Sequence, residues 1–185
     1  MRAIIFIDGN NFYFRLRDLV TQINGKFSLL EFDYQNFGEW LVRPHELVQV
    51  RYYVGALKRQ RNSEKSEKLY ADQQKLFAKL QRQKVVVILG QLIQHPDKSF
   101  HEKGVDVRLA VEMIRLAREN QYDIAYLLSS DTDLVAAIEE VRSFGKKIQY
   151  VGVAKGQSFG LTKAADDVRL LRPEDIKPFL PPSLL

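Results

Sequence analysis

Hydrophobic residues come along this chain in unbroken runs, separated by segments of helical phase. Ala3-Ile-Ile-Phe-Ile7 has no polar alternation, as expected of a strand covered on both faces, and it stops at an acid, Asp8. Phe12, Leu16, Leu19 and Ile23 then recur at helical intervals. Residues 47–55, 84–89 and 145–153 read as further strands, and residues 125–128 as a short buried one. Between them Leu69, Gln73, Leu76 and Leu80 keep one helical phase. Val107, Val111, Ile114 and Leu116-Ala117 keep another, set against Arg108, Glu112, Arg115 and Arg118-Glu119. Leu134, Ile138 and Val141 mark one more helix. Strand and helix therefore alternate, which predicts an α/β fold with a mostly parallel sheet and helices on both faces.

The remaining segments are less regular. Residues 25–43 carry Phe27, Leu29, Phe32, Phe37, Trp40 and Leu41, an aromatic connection expected to cover the core, with a short helix near residues 36–42. Residues 91–103 read as a polar loop or short hairpin broken by Pro96, residues 161–165 as a short helix and residues 167–171 as an edge strand. From Pro173 onward the prolines point to a surface tail. The expectation is one domain over residues 1–172 with a C-terminal tail at 173–185, uninterrupted by repeats or linkers.

Composition narrows the chemistry. The 185 residues are 45% hydrophobic, enough for one well-buried core. There is no cysteine, which removes disulfides, a cysteine nucleophile and thiolate metal sites, and His45, His95 and His101 are scattered. The opening apolar run is too short for a signal sequence. No stretch approaches the roughly 20 apolar residues that cross a bilayer, so a soluble cytoplasmic protein without a membrane partner is expected. Against 23 Asp and Glu stand 28 Lys and Arg, a formal charge of +5. Such a surplus makes polyanions such as nucleic acid natural partners.

Within that picture the acids fall in telling places. Asp8-Gly9-Asn10-Asn11 and Ser129-Ser130-Asp131-Thr132-Asp133 each end an apolar run and open a helix. Strand-to-helix turns of this kind are where open α/β sheets bind ligands. Asp106 falls in the first turn of the helix that begins near Gly104. Each acid also has a plain structural reading, because Asp favours N-caps and first turns. Brought together, however, Asp8, Asp106 and Asp131, with Asp133 close by, repel one another unless protonated or neutralised, and hard oxygen ligands select Mg²⁺ or Mn²⁺. Divalent ions held this way activate water and stabilise the leaving oxygen of a phosphodiester. The charged run over residues 58–68 follows a strand at the same sheet edge. Such runs are usually solvated faces, but here Lys58, Arg59, Arg61, Lys65 and Lys68 are placed to reach a phosphate backbone. Tyr52 and Tyr53, just before it, are expected to pack in their strand rather than stack on bases.

Three motifs in order, Phe6-Ile-Asp-Gly-Asn-Asn11, Lys103-Gly-Val-Asp106-Val and Leu128-Ser-Ser-Asp-Thr-Asp133-Leu, followed by Gly145-Lys-Lys, resemble the NYN domains of the LabA/DUF88 group in the PIN-like nuclease superfamily. The resemblance runs from about Met1 to Leu171, and the ordered set is specific where any one motif is weak. It implies a PIN-like three-layer sandwich, a mostly parallel central sheet flanked by helices. It also implies a metal-dependent ribonuclease site in which Asp8, Asn11, Asp106 and Asp131 match the motif positions and Asp133 is a helper. Asp8, Asp106 and Asp131 are then the ligands of Mg²⁺ or Mn²⁺, RNA is the partner, Lys103 joins the basic residues, and self-association into a homo-oligomer is compatible. Many relatives carry a second Asp after the motif with Asp106; here the candidate is Glu112, about 240° around the helix from it. Asp166 and Asp167 resemble a late acidic position, which a structural hydrogen bond explains equally.

The leading function is therefore a Mg²⁺- or Mn²⁺-dependent endoribonuclease. An RNA-binding or regulatory module with a little-used acidic site is the alternative. A phosphotransfer enzyme built on the Asp131-Thr-Asp133 pair is third, and is opposed by the late position of that pair and by the single acid in Asp8-Gly-Asn10. If the basic run contacts phosphates, replacing Lys58, Arg59 and Arg61 together by Ala weakens RNA binding. It also flattens the plot of log affinity against log salt by up to about 2, at roughly 0.7 per lost contact to a single strand. Unchanged affinity and slope would return the run to a solvated face.

Overall fold

The structure, a computed structural model, describes residues 1–23, 25, 28–57, 64–94 and 100–181, the side chains of 91–94 and 100–103 excepted. In chain order, β1 (Arg2–Asp8) runs into α1 (Gly9–Gln22), α2 (Tyr34–Leu41) leads to β2 (Glu46–Val54), and α3 (Glu64–Arg82) leads to β3 (Val86–Leu89). An antiparallel hairpin of β4 (Gln91–Gln94) and β5 (Phe100–Lys103) precedes α4 (Val105–Arg118) and β6 (Ile124–Leu128). A 3₁₀ turn, Thr132–Leu134, opens α5 (Val135–Ser143), and β7 (Lys147–Val153), α6 (Phe159–Ala164), β8 (Asp167–Leu171) and α7 (Pro173–Ile176) follow.

One sheet has the order β3-β2-β1-β6-β7-β8, every neighbouring pair parallel. Both faces are covered, which accounts for the unbroken hydrophobic runs. Ala3, Ile5 and Ile7 of β1 face a core with Phe12 and Leu16 of α1, Phe37 of α2 and Leu80 of α3. Ile4 and Phe6 face the other core with Leu109 and Met113 of α4, Ile138 of α5 and Leu161 of α6. Helix, sheet and helix layers thus form the sandwich expected of a PIN-like fold. Tyr52 and Tyr53 are each 1% exposed, packed within the strand.

After β1 the chain builds outward through β2 and β3, then crosses back to lay β6 on the other side of β1. The strand order therefore reverses between β1 and β6, and a crevice opens there at the C-terminal ends of the strands.

Two expectations need correction. The segment after Pro173 is not a surface tail throughout: Ile176 is fully buried, Leu180 is 6% exposed, and the Phe179 ring lies 5.5 Å from that of Phe37 and 5.6 Å from that of Trp40. The proline signal was local, whereas Phe32, Phe37 and Trp40 supply an apolar surface that this segment covers. In α4 the phase is also different, since Val107 and Val111 are 66% and 57% exposed while Leu109, Met113 and Glu112 are buried. The helix carries apolar residues on two faces, and the face toward the sheet is the one whose acid finds partners there.

Gly9 stands where β1 turns into α1 and packs directly against β2. A Cβ on it would lie 2.5 Å from Tyr52 Cε1 and 2.8 Å from the Tyr53 carbonyl oxygen, and the Tyr52 hydroxyl donates to the Gly9 carbonyl at 3.2 Å. Gly9→Ala should therefore force β1 and β2 apart at their C-terminal ends and cost about 1–3 kcal/mol, as overpacking does. Urea unfolding measures it; a variant as stable as the parent would show that the contact relaxes freely.

Candidate active site

β1 and β6 pair with Ile7 opposite Leu128, so the residues that follow them, Asp8 and Ser129, emerge side by side. Asp8 is 2% exposed and caps α1, its Oδ1 accepting from Asn11 N at 3.1 Å. Its Oδ2 accepts from the Asn11 side-chain amide and from Ser129 Oγ, the latter at 3.1 Å. Ser130 Oγ in turn donates to Asn11 Oδ1, and Ser129 Oγ accepts from Asp131 N at 3.1 Å. Asp131 caps the 3₁₀ turn, its Oδ1 accepting from Asp133 N at 2.9 Å. Two strand ends are thereby joined through one chain of neutral donors.

Asp106 comes from the first turn of α4 on the other side of the crevice. Asp8, Asp106 and Asp131, with Asn10, Asn11, Ser130 and Val105, line one open cavity of about 400 Å³. Partial burial pushes the Asp106 carboxyl above its usual range, and the negative charges of Asp8, Asp131 and Asp133 push it further. Asp133 is exposed and acts on the cavity by charge without lining it. Among the described residues no ion pair reaches any of these four acids. Nor do three Asp, Glu or His side chains there stand close enough for a ready-made metal cage. The donor set nevertheless fits a hard divalent cation, since three carboxylates line the cavity and such an ion would neutralise the charges that repel one another there.

The other acids stand elsewhere. Glu112 is buried on α4, paired with Arg51 of β2 at 2.5 Å and with Arg108 at 3.4 Å, and it accepts from the Tyr53 hydroxyl at 2.9 Å. Burial alone would raise its carboxyl; the hydrogen bonds from Arg51 and Tyr53 and the charges of Arg51 and Arg108 outweigh that and hold it below the usual range. Asp166 accepts from Ile148 N at 2.8 Å and pairs with Arg142 at 3.0 Å, and Asp167 accepts from Gln149 at 3.1 Å, so both are bonded at the β7–β8 edge. Of the basic residues, Lys65 and Lys68 are exposed in the first turns of α3. Leu69, Asp72 and Gln73 of that helix line a groove of about 540 Å³ which shares Asn10 and Val105 with the acid cavity. Lys58, Arg59, Arg61 and the side chain of Lys103 lie outside the described residues.

Sequence reasoning missed Ser129 and Ser130 as members of the site, and Asn10 and Val105 as its walls. The hydroxyls were visible at the end of an apolar run, but only the β1–β6 register shows that one bonds Asp8 and the other Asn11. The Glu112–Arg51 pair had no local signal, its members being 61 residues apart.

A parallel three-layer α/β domain with acids around a crevice at its topological switch point is consistent with a PIN-like fold. The chain matches the NYN domain family over residues 2–171 and belongs to it. It shares its fold with the crystal structure of a protein of unknown function from Vibrio parahaemolyticus, with a TM-score of 0.68, 23% identity, and coverage of 95% of this chain and 94% of that one. No curated protein matches it. Family membership points to a nuclease-like hydrolase. No helix among the described residues is long and apolar enough to cross a membrane.

Glu112 is assigned to stability by its partners. Arg51 and Glu112 side chains are each 11% exposed, so Glu112→Ala leaves a guanidinium with little access to water and should cost about 3 kcal/mol in urea unfolding. Removing both charges, as Arg51→Met with Glu112→Leu, should recover most of that loss. A Glu112→Ala protein of parental stability would refute the pairing as a structural element.

Proposed function

We propose that this protein is a metal-dependent endoribonuclease of the LabA/DUF88 group that hydrolyses RNA phosphodiester bonds at the cavity lined by Asp8, Asp106 and Asp131. The observation that carries the reading is the convergence of three acids, from β1, α4 and the turn after β6, on one cavity with no basic partner among the described residues. Asp8, Asp106 and Asp131 would hold Mg²⁺ or Mn²⁺, which when bound supplies Lewis acidity toward a phosphate oxygen and a more acidic water.

The chain's own residues prepare the site. Asn11 and Ser129 fix the plane of the Asp8 carboxylate, and Ser130 holds Asn11. The backbone N–H of Asp133 orients Asp131, and the Asp133 charge strengthens the field on Asp106. Lys65 and Lys68, with Lys58, Arg59, Arg61 and Lys103, would take the backbone phosphates of RNA. One observation favours the alternative of an RNA-binding module: both oxygens of Asp8 already accept hydrogen bonds, as a purely structural cap would.

Asp131→Asn separates the two. It removes one ligand charge while the amide keeps the shape and an oxygen to cap the turn, so thermal melting should stay near the parent. Calorimetry should then show Mn²⁺ affinity reduced at least about tenfold, and RNA cleavage should be lost. A variant that melts normally, binds Mn²⁺ as before and cuts at the parental rate would make Asp131 a cap alone. A parent protein that binds RNA but cuts none would favour the binding module.

A further inference from the structure

Phe159, the first residue of α6, is 80% exposed, more than any other large hydrophobic side chain among the described residues. Single exposed hydrophobics are common and carry nothing alone. The surroundings of Phe159 make the difference. The loop presenting it is held from beneath: Arg15 of α1 donates to the Lys155 carbonyl at 3.0 Å, and Ser158 N donates to the buried Tyr150 hydroxyl at 3.0 Å. Ser158 Oγ then accepts from Leu161 N at 3.3 Å, capping α6. Gly156, at φ +80°, lies against the Arg15 guanidinium, which fills the space that a Cβ would need.

This loop follows β7, the neighbour of β6, so it stands beside the turn that bears Asp131. The approach is close, for a Cβ on Gly160 would lie 3.1 Å from Thr132 Cγ2. Residues 154–165 include Lys155 and Lys163, both exposed, and contain no Asp or Glu. An exposed ring on a pinned loop, with lysines on either side of it in the chain, is suited to one ligand chemistry. Unstacked bases of single-stranded RNA lie on aromatic faces while cations take their phosphates. In a duplex the bases already stack on one another and offer no free face.

We propose that Phe159 is a stacking platform for a nucleobase of single-stranded RNA beside the acid cavity, with Lys155 and Lys163 contacting the flanking phosphates. The choice of RNA rests on the ribonuclease reading above, but the platform is tested by binding rather than by cleavage.

Affinity for a fluorescein-labelled single-stranded RNA is measured by anisotropy across a salt series, in an Asp131→Asn background that keeps the strand intact. Adding Phe159→Ala should weaken binding roughly 5- to 150-fold, the range for loss of one base–aromatic stack, with the salt slope unchanged because no ion is released. Lys155→Ala should instead flatten the slope. Phe159→Trp should retain binding, and its indole emission should be quenched by the RNA beyond any change from Trp40 in the protein without it. Duplex RNA should bind equally with and without Phe159→Ala. Melting should be unaffected in all three variants, since these side chains are exposed. Single-strand affinity unchanged by Phe159→Ala, or an equal loss on duplex, overturns the platform alone. A protein that binds no RNA strand overturns the platform and the choice of RNA together.

Discussion

The parallel pairing of β1 with β6 is the constraint on which the rest of this structure depends. The two strands are far apart in sequence, and their register, Ile7 opposite Leu128, sets which residues meet at the sheet's C-terminal edge. Shifting one strand by a residue would turn its side chains to the opposite core and separate Asp8 from Ser129. The two cores guard against that slip, because Ile4 and Phe6 fit one and Ala3, Ile5 and Ile7 the other. The geometry of the site is thus fixed by hydrophobic burial some distance from it. The Asp8–Ser129 hydrogen bond reads out that register more than it creates it.

The same acids cap helical segments and line the crevice. Asp8 and Asp131 each cap a helical segment, and each is bonded to neutral donors. Capping requires one oxygen near a backbone N–H and sets no demand on what faces the crevice. A cap at the switch point of a parallel sheet is therefore already aimed at the place where ligands bind. This dual use explains how a site can be assembled with little stability invested in it beyond the repulsion at Asp106.

Much of this was legible in the sequence, for identifiable reasons. The unbroken run at residues 3–7 announced a strand covered on both faces, and alternation with helical segments announced the parallel sheet. Asp8, Asp106 and Asp131 stood out because each lies where a strand or loop gives way to a helix. What stayed hidden depended on contacts distant in the chain. The inward face of α4 is ambiguous in the sequence because Val107 and Val111 compete with Leu109 and Met113, and it takes Arg51 and Tyr53 on β2, distant in the chain, to make burial of Glu112 acceptable. Ile176 and Leu180 went unrecognised as core because local prolines conceal a surface provided by Phe32, Phe37 and Trp40. Ser129 and Ser130 needed the register between strands 116 or more residues apart.

The treatment of acids elsewhere in the molecule gives the cavity its meaning. Asp123 meets Arg2 at 2.8 Å, and hydrogen bonds from that residue hold its carboxyl down to about 2. Glu112 meets Arg51 and Asp166 meets Arg142, so this chain readily supplies an arginine where a carboxylate is partly buried. With 28 Lys and Arg available, cations are not scarce. Yet among the described residues Asp8, the least exposed of these acids, is answered only by an amide, a hydroxyl and a backbone N–H, and Asp106 by further negative charge. Neutral donors orient a carboxylate without consuming its charge, whereas an arginine would do both. Among the described residues the crevice therefore keeps negative charge in fixed directions, within a protein whose net charge is positive.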